Sequence, residues 1–308
     1  MGGLLTMMRA TAEGEAEAVR AAEDVCASCG IAEVDNIKLE ECGGCDLVKY
    51  CGDKCKEDHL ELHGEQCKRR AKDLRNKKLF RQPDSTHDGE CPICFLPMPL
   101  DLTKTTYHHC CSKTICNGCD YANGISNKQK NCPFCREPLP DGDQKEYERR
   151  RMKRVKANDP VAMRELGAER YNEGDYDGAF EYLTKAAELE DADAHYQLGW
   201  MYMEGKGVEK DEEKAVYHYE IAAIGGHPTA RYNLGCYEEK GGRFERAVKH
   251  WVISAKLGCK NSMKALWGHY KQGNISKEDL EATLRVHQAA IDAMKSPQRT
   301  AAQAAFGG

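Results

Sequence analysis

Ala162-Met163-Arg164-Glu165-Leu166-Gly167 returns as Ala194-His195-Tyr196-Gln197-Leu198-Gly199, and again as Ala230-Arg231-Tyr232-Asn233-Leu234-Gly235. A weaker copy, Ser262-Met263-Lys264-Ala265-Leu266-Trp267-Gly268, follows. The second half of each unit recurs as well: Ala179 with Ala186 and Ala187, Ala215 with Ala222 and Ala223, Ala247 with Ser254 and Ala255. The repeat lengths are 32, 36 and 32 residues, and the longer unit carries an enlarged turn at 204–211. Units of about 34 residues are the size of a helix-turn-helix pair, which buries its apolar face only by stacking on the next pair. The small residues let paired helices approach closely, while Leu, Tyr and Trp fill the layer between units. Asp159-Pro160 suits the start of the first helix, and Ser276 with Asp279 caps the last. Gly205-Lys206-Gly207 lies between two helices with no preceding strand, so it is not a phosphate loop.

Upstream of the repeats the chemistry changes. Fifteen of the 17 cysteines of this 308-residue chain fall between Cys26 and Cys135. The first block reads Cys26-x2-Cys29, Cys42-x2-Cys45, Cys51-x3-Cys55 and His63-x3-Cys67. The second reads Cys91-x2-Cys94, Cys110-Cys111, Cys116-x2-Cys119 and Cys132-x2-Cys135. Each block offers eight ligands, enough for two tetrahedral zinc sites, so about four Zn2+ per chain are expected. Disulfides are the competing reading. No apolar opening stretch resembles a signal peptide, so a reducing cytoplasmic or nuclear setting is expected, where paired thiols bind zinc. Cys236 and Cys259 stand apart and read as small buried residues.

A net charge of -5 gives no global reason to bind nucleic acid. The basic runs 68–81 and 149–156 read as solvated helix or linker, and no run is long and apolar enough to span a membrane. The partners expected are therefore proteins, with no nucleic acid and no membrane span.

Three resemblances follow from these residues. Residues 160–275 resemble Sel-1-like repeats, relatives of tetratricopeptide solenoids, which implies protein-protein scaffolding without catalysis. The span from Cys26 to Cys67, with Tyr50-Cys51 and the closing His63-x3-Cys67, resembles a MYND zinc finger. That likeness places Cys26, Cys29, Cys51 and Cys55 on one zinc, and Cys42, Cys45, His63 and Cys67 on the other. His59, one turn before His63, is the competing ligand. Leu60 stands where typical MYND fingers carry tryptophan, so proline-rich peptide binding is not carried over.

Cys91-Pro92-Ile93-Cys94 and Cys132-Pro133-Phe134-Cys135-Arg136 resemble the opening and closing pairs of a RING finger. The likeness assigns Cys91, Cys94, Cys116 and Cys119 to one site and Cys132 and Cys135 to half of the other. Lys113 falls where a common RING has histidine, so Cys110 and Cys111 are taken to complete the set, with His109 in place of Cys110 as the alternative. Ile93, Pro133 and Arg136 match the places where active RINGs contact a ubiquitin-conjugating enzyme, although no tryptophan occurs in 121–131.

The chain as a whole resembles multi-domain proteins of diatoms and related algae, and it is expected to be mainly α. Two small cross-braced zinc-binding modules precede an α-α solenoid. The expected map is a tail (1–24), a MYND-like finger (25–68), a basic helix and linker (69–89), a RING-like finger (90–140), a charged linker helix (141–158), the solenoid (159–295) and a tail (296–308). The function this implies is an adaptor acting as a RING-type ubiquitin ligase, whose solenoid holds an unknown protein substrate. The alternative is a non-catalytic scaffold with structural zinc fingers.

Overall fold

The computed structural model describes residues 26–28, 38–43, 48–126, 131–140 and 142–306. The expected N-terminal tail, Cys29 and Cys45 lie outside them. The chain divides into two compact units, one ending at Leu79 and the other beginning at Phe80.

In the first unit, β1 (Glu40–Glu41) pairs antiparallel with β2 (Lys49–Tyr50), Glu40 opposite Tyr50. Cys26 bridges to Lys49, so the first thiol is hung on the same small ribbon. Helix α1 (Asp53–Leu79) then runs without interruption through the basic segment. Among the described residues the apolar cluster here is small: Cys26, Cys42 and Tyr50, with Leu39 and Val48 beside them.

The second unit opens with the second cysteine block. Strands β3 (Thr105–His108) and β4 (Lys113–Cys116) form a hairpin with Thr105 opposite Cys116, and α2 (Asn117–Ser126) follows directly. Helix α3 (Gln144–Lys156) is capped by Asp143, whose carboxylate accepts from the Lys145 and Glu146 amides. The sequence presents it as a charged linker, yet it packs on the solenoid. Val155 and Met152 join the first core cluster, and buried Arg151 pairs with Glu169.

The solenoid comprises α4 (Pro160–Glu173), α5 (Tyr176–Glu188), α6 (Ala192–Glu204), α7 (Glu212–Ile224), α8 (Pro228–Lys240), α9 (Phe244–Lys256), α10 (Lys260–Lys271) and α11 (Lys277–Ala293). Asp159, Asp191 and Asp211 cap their helices by accepting backbone N–H bonds, and Ser276 caps α11 as its sequence suggests. The repeated glycines explain the pairing within each unit. A Cβ on Gly167 would meet Leu183, one on Gly199 would lie 2.7 Å from the Tyr219 ring, and one on Gly235 would strike Trp251. The partner grows from Leu to Tyr to Trp, and each is fully buried. Cys259 is buried and Cys236 half-buried, as small packing residues.

The expected tail at 296–308 is a correction: Pro297–Phe306 is a helix, α12, packed against α2. Proline at its first position and an Ala-rich sequence favour helix, and Ala302 is buried.

Candidate metal centres

The second cysteine block is built from two like-shaped knuckles. In the first, Phe95 donates its amide to the Cys91 carbonyl (2.8 Å) and Cys91 donates to Leu96 (2.9 Å). In the second, Arg136 donates to Cys132 (3.1 Å) and Cys132 to Glu137 (2.9 Å). Phe95 and Arg136 both take a left-handed backbone, with φ of 56° and 60°. Such tight turns aim amide hydrogens and two thiols at one point.

The sulfurs gather crosswise. Cys91 and Cys94 meet Cys116 and Cys119, while Cys110 and Cys111 meet Cys132 and Cys135, each set within 4.8 Å. Four tetrahedral thiolates at a Zn–S distance of about 2.3 Å would stand roughly 3.8 Å apart. The Cys94–Cys116 separation is 3.9 Å and Cys111–Cys132 is 3.8 Å, far beyond a disulfide bond and right for zinc. The electrostatics agree. Burial, together with the neighbouring Cys135 and Cys132 sulfurs, pushes the Cys110 thiol well up, so its thiolate form would be favoured by a cation at the set. At Cys91 burial opposes the thiolate, but the amides of Cys116, Cys94 and Ile93 outweigh it and bring the thiol down to about 7.

Both cysteines of the doublet join the second set, and neither preceding histidine does. His109 is turned away, edge-on between Tyr107 (4.8 Å) and Tyr147 (5.1 Å). His108 faces Asp120 at 3.6 Å. Of the three expected partner contacts, Ile93 and Arg136 are exposed and Pro133 is half-buried.

In the first block, Cys26 gathers with Cys51 and Cys55, and Cys42 with His63 and Cys67. Cys51–Cys55 and Cys42–Cys67 both stand at 3.6 Å, again a zinc-like spacing. His63 is buried within its set, whereas the competing His59 hydrogen-bonds the Tyr50 hydroxyl (3.1 Å) and stacks on His63. Three ligands of each first-block set lie among the described residues. In the second block each set has four, which leaves nothing for a substrate water, so the chemistry there is structural.

A further grouping has no signature in the sequence: His87, Asp193 and His227, from three separate segments. It does not suit a cation. His227 Nδ1 accepts the Ala230 amide (3.1 Å), so its proton sits on Nε2, facing Asp193 at 3.0 Å. Arg164 already lies 3.5 Å from the other Asp193 oxygen. His87 stacks on His227 at 4.2 Å, and burial lowers its pKa to about 3. His87 keeps both ring nitrogens buried without a hydrogen-bond partner.

Family models match two parts of the chain. A MYND finger model matches residues 26–67, and a Sel1 repeat model matches 160–191, 192–227 and 228–259. A sel1-like repeat-containing protein of Acanthamoeba polyphaga mimivirus is 38% identical over 61 residues, 20% of this chain and 11% of that protein. The chain thus spans about a tenth of that relative's length. A Sel1 repeat protein from Oxalobacter formigenes is 28% identical, with a TM-score of 0.43, over 49% of this chain and 66% of that one. A protective antigen of uropathogenic Escherichia coli displaying an SLR fold is 23% identical, with a TM-score of 0.38, over 53% of this chain and 36% of that one.

Proposed function

With a MYND finger joined to Sel1 repeats as premise, we propose that this zinc-binding interaction adaptor is a RING-type ubiquitin ligase. Residues 90–140 form its RING-like finger, and the solenoid receives a protein substrate. The four ligand sets, completed by Cys29 and Cys45 in the first block, hold four zinc ions. Thiolate sites of this kind belong in the reducing cytoplasm or nucleus.

The observation that carries the reading is the crosswise gathering of eight thiols, which leaves Ile93 exposed beside the first knuckle and Arg136 exposed after the second. A cross-brace of that kind presents both knuckles on one rigid frame. An apolar contact and a planar guanidinium are then available to a charged conjugating enzyme, whose ubiquitin would be held for attack by positioning alone. The lack of tryptophan in 121–131 favours a second reading, in which the finger binds proteins without activating transfer.

Ubiquitin discharge from a panel of charged conjugating enzymes separates the two. Faster discharge that is lost in Arg136→Ala and Ile93→Ala at unchanged zinc content is the expected result. No acceleration by fully zinc-loaded protein across the panel overturns the ligase reading and leaves the scaffold.

A further inference from the structure

We propose that Arg299, carried by the C-terminal helix α12, is the charge partner of the Cys91/Cys94/Cys116/Cys119 centre and holds its metal in place. The inference rests on reading that set as a zinc site.

Four thiolates around one Zn2+ leave two excess negative charges. Cys91 and Cys116 are fully buried and Cys119 nearly so, and buried charge of that kind needs a counter-charge. Arg299 supplies one from 205 residues away: its Nη2 stands 3.6 Å from the Cys94 sulfur. The same guanidinium donates to the carbonyls of Pro97 (2.8 Å), Leu96 (3.3 Å) and Met294 (2.6 Å). It therefore grips the backbone just after Cys94 while touching the sulfur. Its partners are carbonyls and thiols, with no carboxylate among them, so its charge is left to the sulfurs.

Gly118 makes the approach possible. A Cβ there would lie 2.7 Å from the Arg299 amide nitrogen and 2.9 Å from its Cα, so α12 crosses α2 where Gly118 leaves it bare. Ala302, one turn beyond Arg299 on the same face, is buried and seats the helix. Among the described residues no guanidinium donates a hydrogen bond to a sulfur of the second set. Cys135 is exposed, and the nearby Arg150 is bound to Glu146 (2.6 Å) and to the Pro138 carbonyl (2.8 Å).

The test uses the full chain. Zinc is quantified first, then EDTA is added with N-ethylmaleimide, and labelling of each cysteine is followed by peptide mass spectrometry. In Arg299→Gln, labelling of Cys91, Cys94, Cys116 and Cys119 should be about tenfold faster or more, in line with the loss of other outer partners of bound metals. Labelling of Cys110, Cys111, Cys132 and Cys135 should keep its wild-type rate. Gly118→Ala, which displaces α12 without changing the arginine side chain, should act in the same way, and Arg299→Lys should restore part of the protection. Wild-type labelling rates in Arg299→Gln overturn the proposal, and so does equal acceleration at both sets, which would mean general loosening. If wild-type Cys91, Cys94, Cys116 and Cys119 label at once without chelator, the zinc reading of the set itself falls.

Discussion

At the residue scale, the repeated glycine is a contact surface for the helix that follows it. Gly199→Ala and Gly235→Ala would drive a methyl into buried Tyr219 and Trp251, and each should cost about 1–3 kcal/mol. Gly268, also within a helix, has nothing within 4 Å of a built Cβ. There the same substitution should be neutral or stabilise by up to about 1 kcal/mol. Urea unfolding of the three variants checks the contrast. His250 gives a pH-dependent counterpart. It is fully buried against Phe80 (4.7 Å), and burial, with Arg231 and Arg246 nearby, lowers its pKa to about 3. A depressed folded-state pKa means that its contribution is intact above the ordinary value of 6.5 and is lost as pH falls from there toward 3. The loss approaches about 1.4 kcal/mol per pH unit. His250→Gln, which stays neutral, should therefore show a smaller drop in melting temperature between pH 7.5 and pH 5.5 than wild type.

At the scale of elements, the β3–β4 turn decides a question that spacing leaves open. His109 and Cys110 are adjacent and both ligate zinc well, so their order alone does not choose between them. The chain turns here through Ser112 at a φ of 55°, which brings both thiols onto Cys132 and Cys135 and leaves His109 between tyrosines. Cys110→Ala or Cys111→Ala should therefore each release one zinc equivalent, and His109→Ala none, by elemental mass spectrometry of purified protein. The solenoid was readable because Ala, Leu and Gly recur at fixed separations, each for a packing reason. Helix α3 was readable as a helix but not in its packing, and α12 was not readable at all. What places α3 is the pairing of buried Arg151 with half-buried Glu169, and what places α12 is a bare glycine in the second cysteine block. Neither partner is near in sequence, and neither helix carries an apolar stripe that would announce burial. The pairing of His87 with Asp193 and His227 was hidden for the same reason.

At the scale of the molecule, the two kinds of segment cohere by different means. The solenoid buries continuous apolar layers, such as Leu166, Leu183, Leu198 and Met201 in its first cluster. Among the described residues of the unit ending at Leu79, the apolar cluster is Cys26, Cys42 and Tyr50, and two of those three are ligand candidates. So small an apolar cluster does not offset the conformational entropy of the chain it fixes, and zinc at the cysteine sets would supply the missing stabilisation. A strong zinc chelator should therefore act selectively. Limited proteolysis should open new cleavage sites within 26–67 as zinc leaves, while α4 to α10 stay resistant and most of the helical circular dichroism survives with a cooperative thermal transition. Re-adding zinc under reducing conditions should close the new sites. If 26–67 remained protected after its zinc was gone, the first block would be held by something other than metal, and the ligand sets drawn there would need another explanation.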